Sequence, residues 1–362
     1  MNGDYVKQKI KQVIGSWRAG KFMPLNLRPF SANIYALSRV WHRSSTVNLR
    51  EGDFRAINSD LKSWIYSDML LKPEEMILFR QVSQGGLGLT SVKHKSLACL
   101  IHTFIQIAAN PSYLNSMYEK ALYRYFILGE NIIKPSRPPF YSEFMFEVIK
   151  EARDAGLNDV KMNIKQWYIF LVKREETVQT EEMAVLRPCR VTRNNPIARW
   201  DIIWKNIHIR ALSSETISFL WKLVHELLPS EERVHATLGN QSAACKFSCP
   251  GNPTADIMHC IFSCSLTAEV GSFLLRTIQQ FSPGTSETDI LRLDIANNDP
   301  LIWFAAKTLH YSWSQRVLGR RGDVSKWIAS LKADLDIMVE AQQSQFETSI
   351  GNILNTVISA VT

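Results

Sequence analysis

Apolar side chains recur at intervals of three and four residues along most of this chain of 362 residues. That interval places them on one face of a helix. The pattern runs through residues 6–17, 54–69, 97–105, 327–338 and 350–358. Strict alternation of polar and apolar residues, which is typical of strands, is scarce. Glycine and proline, at 16 and 14 residues, are also less frequent than in an average chain. The sequence therefore predicts a mainly α fold.

Proline-rich and polar segments divide the chain. Residues 134–139 hold three prolines, which remove backbone donors and favour extended backbone. Residues 174–195 are polar and charged and are followed by Pro196, which is typical of a connector. At about 150 residues per domain, the length predicts two or three domains. We predict four regions, with the bounds 1–110, 111–195, 196–270 and 271–362.

Cysteine usage and hydropathy bear on the compartment. Six cysteines in a chain of this length are too few for a disulfide scaffold. The first residues lack the apolar segment of a signal peptide. The most apolar stretch, residues 97–109, is shorter than the ~20 residues that cross a bilayer. These features predict a soluble chain of the cytoplasm, the nucleus or both, with no membrane partner.

The positive charge is concentrated near the N-terminus. The net charge is +8, and residues 1–60 hold ten basic and four acidic side chains. Five aromatic residues lie between the basic ones: Trp17, Phe22, Phe30, Tyr35 and Trp41. Lysine and arginine beside stacking rings hold nucleic acid without reading its sequence; the alternative is a solvated helix face with the rings in the core. The candidate nucleic-acid contacts are Lys7, Lys9, Lys11, Arg18, Lys21, Arg28, Arg39 and Arg43.

The densest group of metal-binding residue types is Cys245, Cys249, His259 and Cys264, with the spacing C-x3-C-x9-H-x4-C. A pair on a tight turn and a pair on one helical turn can surround a zinc ion. Because all four positions are protein side chains, no ligand position is open to water and the predicted zinc is structural. We expect Cys260, adjacent to His259, to point elsewhere. The alternative is a set of small buried hydrophobic residues, as free cysteines often are.

Residues 199–234 read RWDIIWKNIHIRALSSETISFLWKLVHELLPSEERV and lead into the Cys/His group. This segment resembles the reverse-transcriptase zinc-binding region of LINE-type non-LTR retrotransposons. That family has a Trp-x3-Trp helix, a Phe-Leu-Trp-Arg-Leu-x-His-x-x-Leu-Pro-Thr segment and a C-x2-C…H-x4-C knuckle. The C-x3-C spacing here departs from the family pattern, and Asp256 replaces its usual Glu. The matching residues are Trp200, Trp204, Phe219, Leu220, Trp221, Leu223, His225, Leu228, Pro229 and Arg233.

Three upstream segments extend the resemblance in family order. Residues 83–89, SQGGLGL, are similar to the EGGLGL element that follows the thumb of these enzymes. Residues 9–41 resemble the thumb helices, and residues 163–168 resemble a short segment between thumb and knuckle. The resemblance implies a multi-helix thumb-like basic region (1–110) and a helical connector (111–195). A helical zinc-binding-like region with a small Cys3His zinc knuckle (196–270) and a helical tail (271–362) follow.

No catalytic residue is predicted. Reverse transcription requires metal-binding carboxylates on a YxDD hairpin, and Tyr66-Ser-Asp68 is followed by Met69. The sequence has no Pro-Asp dipeptide, P-loop or G-x-S-x-G elbow.

The resemblance thus implies a non-catalytic, nucleic-acid-binding C-terminal portion of a retrotransposon reverse transcriptase. Its partners would be RNA, DNA or both, and the palm and fingers of the same element if a longer chain exists. The alternative is a helical protein-interaction module or an inactive relic of a transposable element.

Two further features allow a functional and a structural interpretation. His225 is next to Glu226 and could act as a base, but its apolar neighbours favour a packed histidine. Arg316 and Arg320 lie at a predicted helix end, where they would contact phosphate or solvent.

Overall fold

The computed structural model describes most of the chain and is mainly helical, which confirms the predicted fold class. Within the described residues, the only β-type pairing is an isolated antiparallel bridge between Ala244 and Thr254. The described residues are 3–16, 23–44, 49–110, 116–137, 141–182, 190–239, 241–295, 298–340 and 351.

Seventeen α-helices are found in the described residues. In chain order they are α1 (Gly3–Ser16), α2 (Leu27–Ser31), α3 (Ser38–Ser44), α4 (Glu51–Ile65), α5 (Glu75–Phe79), α6 (Val92–Ala109), α7 (Ser116–Phe126), α8 (Glu143–Asp154), α9 (Ile164–Glu182), α10 (Arg190–Asn194), α11 (Trp200–Ile207), α12 (Ser214–Val224), α13 (Glu231–Leu238), α14 (Ala268–Phe281), α15 (Glu287–Arg292), α16 (Asp299–Val317) and α17 (Val324–Glu340). Two π-helical segments, Ala32–Leu37 and His259–Ser263, and two 3-10 turns, Val82–Gln84 and Asp159–Lys161, complete the helical structure.

The chain forms two compact units. Unit 1 consists of the described residues within 1–23, 27–67 and 88–188, and unit 2 of those within 24–26, 68–87 and 189–362. The change of unit near residue 188 lies close to the predicted boundary at 195. The structure differs from the four predicted regions in two ways. It joins the first two regions into one unit and the last two into another, and it assigns residues 68–87 to the second.

Unit 1 is built around α6. Its buried residues lie on most sides of a long helix, and α3, α4, α7, α8 and α9 contact it. The centre of this core is aromatic: Phe104 meets Tyr141 and Phe146 edge to face, with ring centroids 5.0 and 5.4 Å apart. Trp167 from α9 is fully buried in the same cluster. Because these rings come from four separate segments, the core ties the predicted connector to the predicted thumb-like region.

Unit 2 is built around α16. This helix is buried on nearly all sides, which is expected for a helix at the centre of a domain. Trp303 and Phe304 are fully buried, and α11, α12, α14 and α17 contact the helix. The π-helical segment His259–Ser263 also lies against α16 and α14. The centre of unit 2 therefore supports the Cys/His segment directly.

The apolar stretch at 97–109 is part of α6 and packs in the core of unit 1. None of the described helices combines the length and apolar character of a membrane span.

Candidate metal centre

The first two ligands of the candidate metal centre lie on a short hairpin. We call residues 243–264 the knuckle. Its two arms are joined by backbone hydrogen bonds from Cys245 N to Pro253 O, at 2.9 Å, and from Ala255 N to Ala243 O, at 2.8 Å. The tight turn between them places Cys249 back over Cys245, with 3.6 Å between the two sulfur atoms. The hairpin thus brings the two cysteines of the C-x3-C pair together.

The second two ligands lie at either end of a π-helical turn. In an α-helix, residues five apart point about 140° away from each other. The π turn is wider, and its hydrogen bond runs from Cys264 N to His259 O, at 2.8 Å. Asp256 fixes the start of this turn by accepting from His259 N at 2.7 Å. The H-x4-C spacing therefore suits the π turn, which brings both side chains to the same site.

The four side chains converge on one point. Cys245, Cys249, His259 and Cys264 are all buried, and their ligand atoms lie within 4.8 Å of one another. The sulfur separations are 3.6, 3.8 and 3.8 Å. Tetrahedral zinc with bonds of about 2.3 Å to sulfur would separate sulfur atoms by about 3.8 Å. The arrangement predicted from the sequence spacing is thus the one that the structure brings together.

The histidine supplies an independent sign that the group fits a cation. Its Nε2 atom is buried without a hydrogen-bond partner. A buried, unsatisfied nitrogen is costly, and a metal ion bound there would satisfy it. The sulfur atoms, at 3.6 Å or more, are too far apart for disulfide bonds. The donor set of three thiols and one imidazole suits zinc.

The thiols of Cys249 and Cys264 differ in their ease of ionisation. Burial raises the pKa of the Cys249 thiol, but hydrogen bonds from Ser265 and from the neighbouring thiols outweigh it and bring the pKa to about 6. Burial raises the pKa of Cys264 to about 11. Cys249 therefore ionises more easily than Cys264, from which a bound metal ion would displace a proton.

Cys260 does not belong to the group, as predicted. Its Sγ faces Ala255 O at 3.7 Å, and burial raises its pKa to about 12. It is a small buried side chain in the core of unit 2.

Three residues that border the centre were not identified as such from the sequence. Ser265 donates its backbone N–H to Cys249 Sγ at 3.3 Å. Arg316 is buried rather than at a solvated helix end, and its Nη2 lies 2.7 Å from Glu231 Oε2. Ser265 directly follows a ligand, which is a usable signal, whereas nothing near Glu231 or Arg316 in the sequence points to the centre.

The candidate nucleic-acid contacts on α1 are partly engaged within unit 1. Lys7 pairs with Asp4 at 2.7 Å and with Asp53 at 2.9 Å, and these hydrogen bonds raise its pKa. Lys11 is mostly exposed, 3.9 Å from Asp60. Lys9 lies over the Tyr5 ring.

Among the candidate arginines, Arg39 is exposed, whereas Arg28 is 1% exposed. Arg28 donates to Met23 O at 2.9 Å and to Ile65 O at 2.6 Å. The prediction that Arg28 contacts phosphate is wrong, because its guanidinium is used to satisfy backbone carbonyls inside the unit. Arg18, Lys21 and the side chain of Arg43 lie outside the described residues.

Three of the residues that carry the family resemblance, Trp204, Trp221 and His225, meet in unit 2. Gly85 O accepts from Trp221 Nε1 at 3.0 Å and from His225 Nε2 at 2.8 Å. Trp204 stacks on His225, with ring centroids 5.1 Å apart. Gly85 has φ of +80°, and a Cβ there would lie 2.5 Å from the Trp204 ring, so the position requires glycine. His225 is thus a packed histidine, as its apolar neighbours indicated.

Comparison of the chain with protein-family models and with curated proteins gives no match. The retrotransposon interpretation therefore depends on the residues quoted above.

Proposed function

We propose that this chain is a non-catalytic nucleic-acid-binding protein, the C-terminal portion of a retrotransposon-type reverse transcriptase. We also propose that structural zinc occupies the Cys3His centre. The observation that carries the binding proposal is an exposed aromatic and basic face in unit 1, on the helix that runs from α2 through the π segment to α3.

This face presents rings at successive helical turns. Phe30 is 62% exposed and Tyr35 is 59% exposed, and Ile34 beside them is also exposed. Arg39 follows one turn later and is exposed. Large rings held at a surface are usable as stacking platforms, since stacking contributes about 1–3 kcal/mol per base. We call Phe30, Ile34, Tyr35 and Arg39 the stacking face.

A basic cleft adjoins the stacking face through Arg39. It has a volume of about 450 Å³ and lies between α1 and α3. Its two basic side chains are Lys9, on the α1 side with Tyr5, and Arg39, on the α3 side with Ser38; the rest of its lining is apolar (Val6, Ile10 and Val40). A lysine and an arginine across a cleft fit a phosphodiester backbone, while the face beyond Arg39 receives bases. A single strand of RNA or DNA is the occupant that this combination suits.

The zinc proposal is supported by the closed ligand set. All four positions are protein side chains, so the bound ion would hold the knuckle together without presenting a site for water. Metal analysis of the purified chain should give one zinc per molecule. A chain that is folded and free of metal contradicts this part of the proposal.

Nucleic-acid binding is tested by titrating a labelled single-stranded RNA with the protein at several salt concentrations. We expect log K to fall linearly with log salt, by about 0.7 for each contacted phosphate. Lys9→Glu with Arg39→Glu should weaken binding and lower that slope by at least roughly 1.4. Phe30→Ala with Tyr35→Ala should weaken binding at all salt concentrations and leave the slope unchanged.

Lys161→Glu with Lys165→Glu is the matched control. Both lysines are exposed in unit 1, and the double change alters the net charge by the same amount as Lys9→Glu with Arg39→Glu. We expect its affinity to fall less than that of the cleft variant. Equal loss in the two variants would mean that only overall charge matters. Absent or salt-independent binding by the parent chain would favour a protein-interaction module instead.

The non-catalytic part of the proposal is tested by primer extension with Mg²⁺ on an RNA template. We expect no extended product. Extension by the purified chain contradicts this part and leaves the binding proposal standing.

A further inference from the structure

A buried ion pair lies against the Cys3His centre. Arg316, near the C-terminal end of α16, is 2% exposed, and its Nη2 lies 2.7 Å from Glu231 Oε2. The same nitrogen lies 3.8 Å from Cys245 Sγ, within the range of an N–H···S hydrogen bond. The guanidinium therefore bridges the first residue of α13 and a metal ligand.

The position of this guanidinium is fixed on other sides as well. Phe247 lies beneath it, with the guanidinium carbon 5.1 Å from the ring centroid, which is a favourable cation–π distance. Lys246 lies 3.9 Å from the other oxygen of Glu231. Because Lys246 and Phe247 belong to the knuckle, the ion pair is enclosed between the knuckle, α13 and α16.

The guanidinium of Arg316 lies where it would offset the charge of a metal-bound centre. Three thiolates and a neutral imidazole around a dication carry a net charge of −1, and a buried charge is costly unless it is paired. Within the described residues, Arg316 is the cation that reaches a ligand sulfur. Groups that orient metal ligands and adjust their basicity change metal affinity, typically by 10- to 100-fold.

We propose that Arg316 is a positioning residue of the metal centre, holding Cys245 and offsetting the charge of the loaded site, with Glu231 fixing its orientation. Metal binding is then coupled to the contact between the C-terminal end of α16 and the knuckle, so that each stabilises the other. The inference rests on the proposed zinc centre and not on nucleic-acid binding. A parent chain that binds no zinc contradicts the zinc proposal and the inference with it, whereas a parent that binds zinc and variants with unchanged affinity contradict the inference alone.

The test is competition for Zn²⁺ between the full chain and a chromogenic chelator. We expect Arg316→Gln to weaken zinc binding by about 10- to 100-fold. Arg320→Gln is the matched control, since Arg320 is exposed four residues further on, and it should bind zinc as the parent does. Far-UV circular dichroism establishes that each variant is helical.

A double variant separates the proposal from a purely structural ion pair. Arg316→Met with Glu231→Leu removes both charges and keeps apolar volume, a change that buried ion pairs often tolerate. We expect this variant to fold and still to bind zinc at least 10-fold more weakly. Substitution of Co²⁺ should show an altered sulfur-to-metal charge-transfer band. Parent-like zinc affinity in the double variant would overturn the proposal, because the ion pair would then serve only the fold.

Discussion

At the scale of single residues, the role of a side chain in this protein depends on its burial and on the residues that pack against it. Cys260 and Cys264 are both fully buried and four residues apart, yet only Cys264 faces the metal centre. Arg28 and Arg39 both lie on the helix from α2 to α3, yet one is buried against carbonyl oxygens and the other is exposed. Residue type narrows the chemistry, and the packing around each residue selects among the roles.

Cys264 and Cys260 provide a test variant and a matched control for the proposed metal ligands. We expect Cys264→Ala to lose zinc and to lower the melting temperature, because the centre would keep three ligands and bury an incomplete set. Cys260→Ala should keep one zinc per molecule. Metal analysis and thermal unfolding of both variants give the comparison. Loss of zinc from the Cys260 variant, or its retention at parent affinity by the Cys264 variant, contradicts the assigned ligand set.

His225 should make unit 2 sensitive to acid. Burial lowers its pKa to about 4, whereas an unfolded histidine titrates near 6.5. The unfolded chain therefore binds a proton that the folded chain does not, between about pH 6.5 and 4. Stability should be unaffected by this group above that window and should fall within it, by up to about 1.4 kcal/mol per pH unit.

The variant His225→Gln tests this slope, since glutamine keeps a donor for Gly85 O. Chemical unfolding at several pH values should show a shallower loss of stability for the variant than for the parent. Comparing slopes removes contributions that both chains share, such as His310, whose pKa burial also lowers to about 4. Equal slopes would mean that His225 is not protonated on unfolding.

At the residue scale, spacing was enough to find the four metal ligands, because a hairpin pair and a turn pair are both local. It was not enough to find Arg316, or to exclude Arg28 from the nucleic-acid contacts. Arg28 donates to Ile65 O, 37 residues away, and Arg316 meets Glu231 across 85 residues. Burial of a charge depends on such distant partners, which no local pattern reveals.

At the scale of elements, the contact between α14 and the π turn supports the metal centre. Gly271 in α14 has no room for a side chain: a Cβ there would lie 2.6 Å from Ile261 O and 2.8 Å from Phe262 Cα. The α14 backbone thus lies directly on the segment that carries His259 and Cys264.

Substitution of Gly271 by alanine should therefore push α14 away from the π turn. We expect a loss of about 1–3 kcal/mol, as for other overpacked sites, together with weaker zinc binding. Gly15→Ala is the control, because Gly15 is also helical but has nothing within 4 Å of the new atom. That variant should be more stable by about 0.5–1 kcal/mol. A neutral Gly271→Ala would show that the two elements separate without cost.

Helices were the predictable elements. Apolar spacing identified α1, α4, α6 and α17. The buried faces of α1, α4 and α17 follow the helical period, whereas α6 is buried on most sides. The π turn was predicted only as a helical turn, because the choice between α and π depends on what its side chains must reach. The sequence also did not predict that residues 68–87 belong to unit 2. The loop that contains GGLG has no apolar periodicity from which its packing partners could be inferred.

At the scale of the whole molecule, unit 2 is not a continuous piece of chain. Trp221 and His225 donate to Gly85 O, so residues 68–87 complete a surface formed by residues 189 onward. A fragment of residues 190–362 would expose Trp204, Trp221 and His225.

We expect residues 190–362 produced alone to aggregate, since large exposed apolar patches promote association. The same fragment with residues 68–87 joined ahead of it by a flexible linker should be monodisperse and helical. Size-exclusion chromatography and circular dichroism compare the two. A monodisperse shorter fragment with the near-UV spectrum of the longer one would show that residues 68–87 are dispensable for unit 2.

The hydrogen bond from Trp221 to Gly85 also places a limit on folding during synthesis. The two residues are 136 positions apart, and ribosomes add about 5–20 residues per second, so roughly 7–27 s separate their appearance. During that interval the Gly85 turn has left the ribosome and its partners do not yet exist. The second unit therefore closes only late in translation, and until then the turn at Gly85 is open to proteases and chaperones.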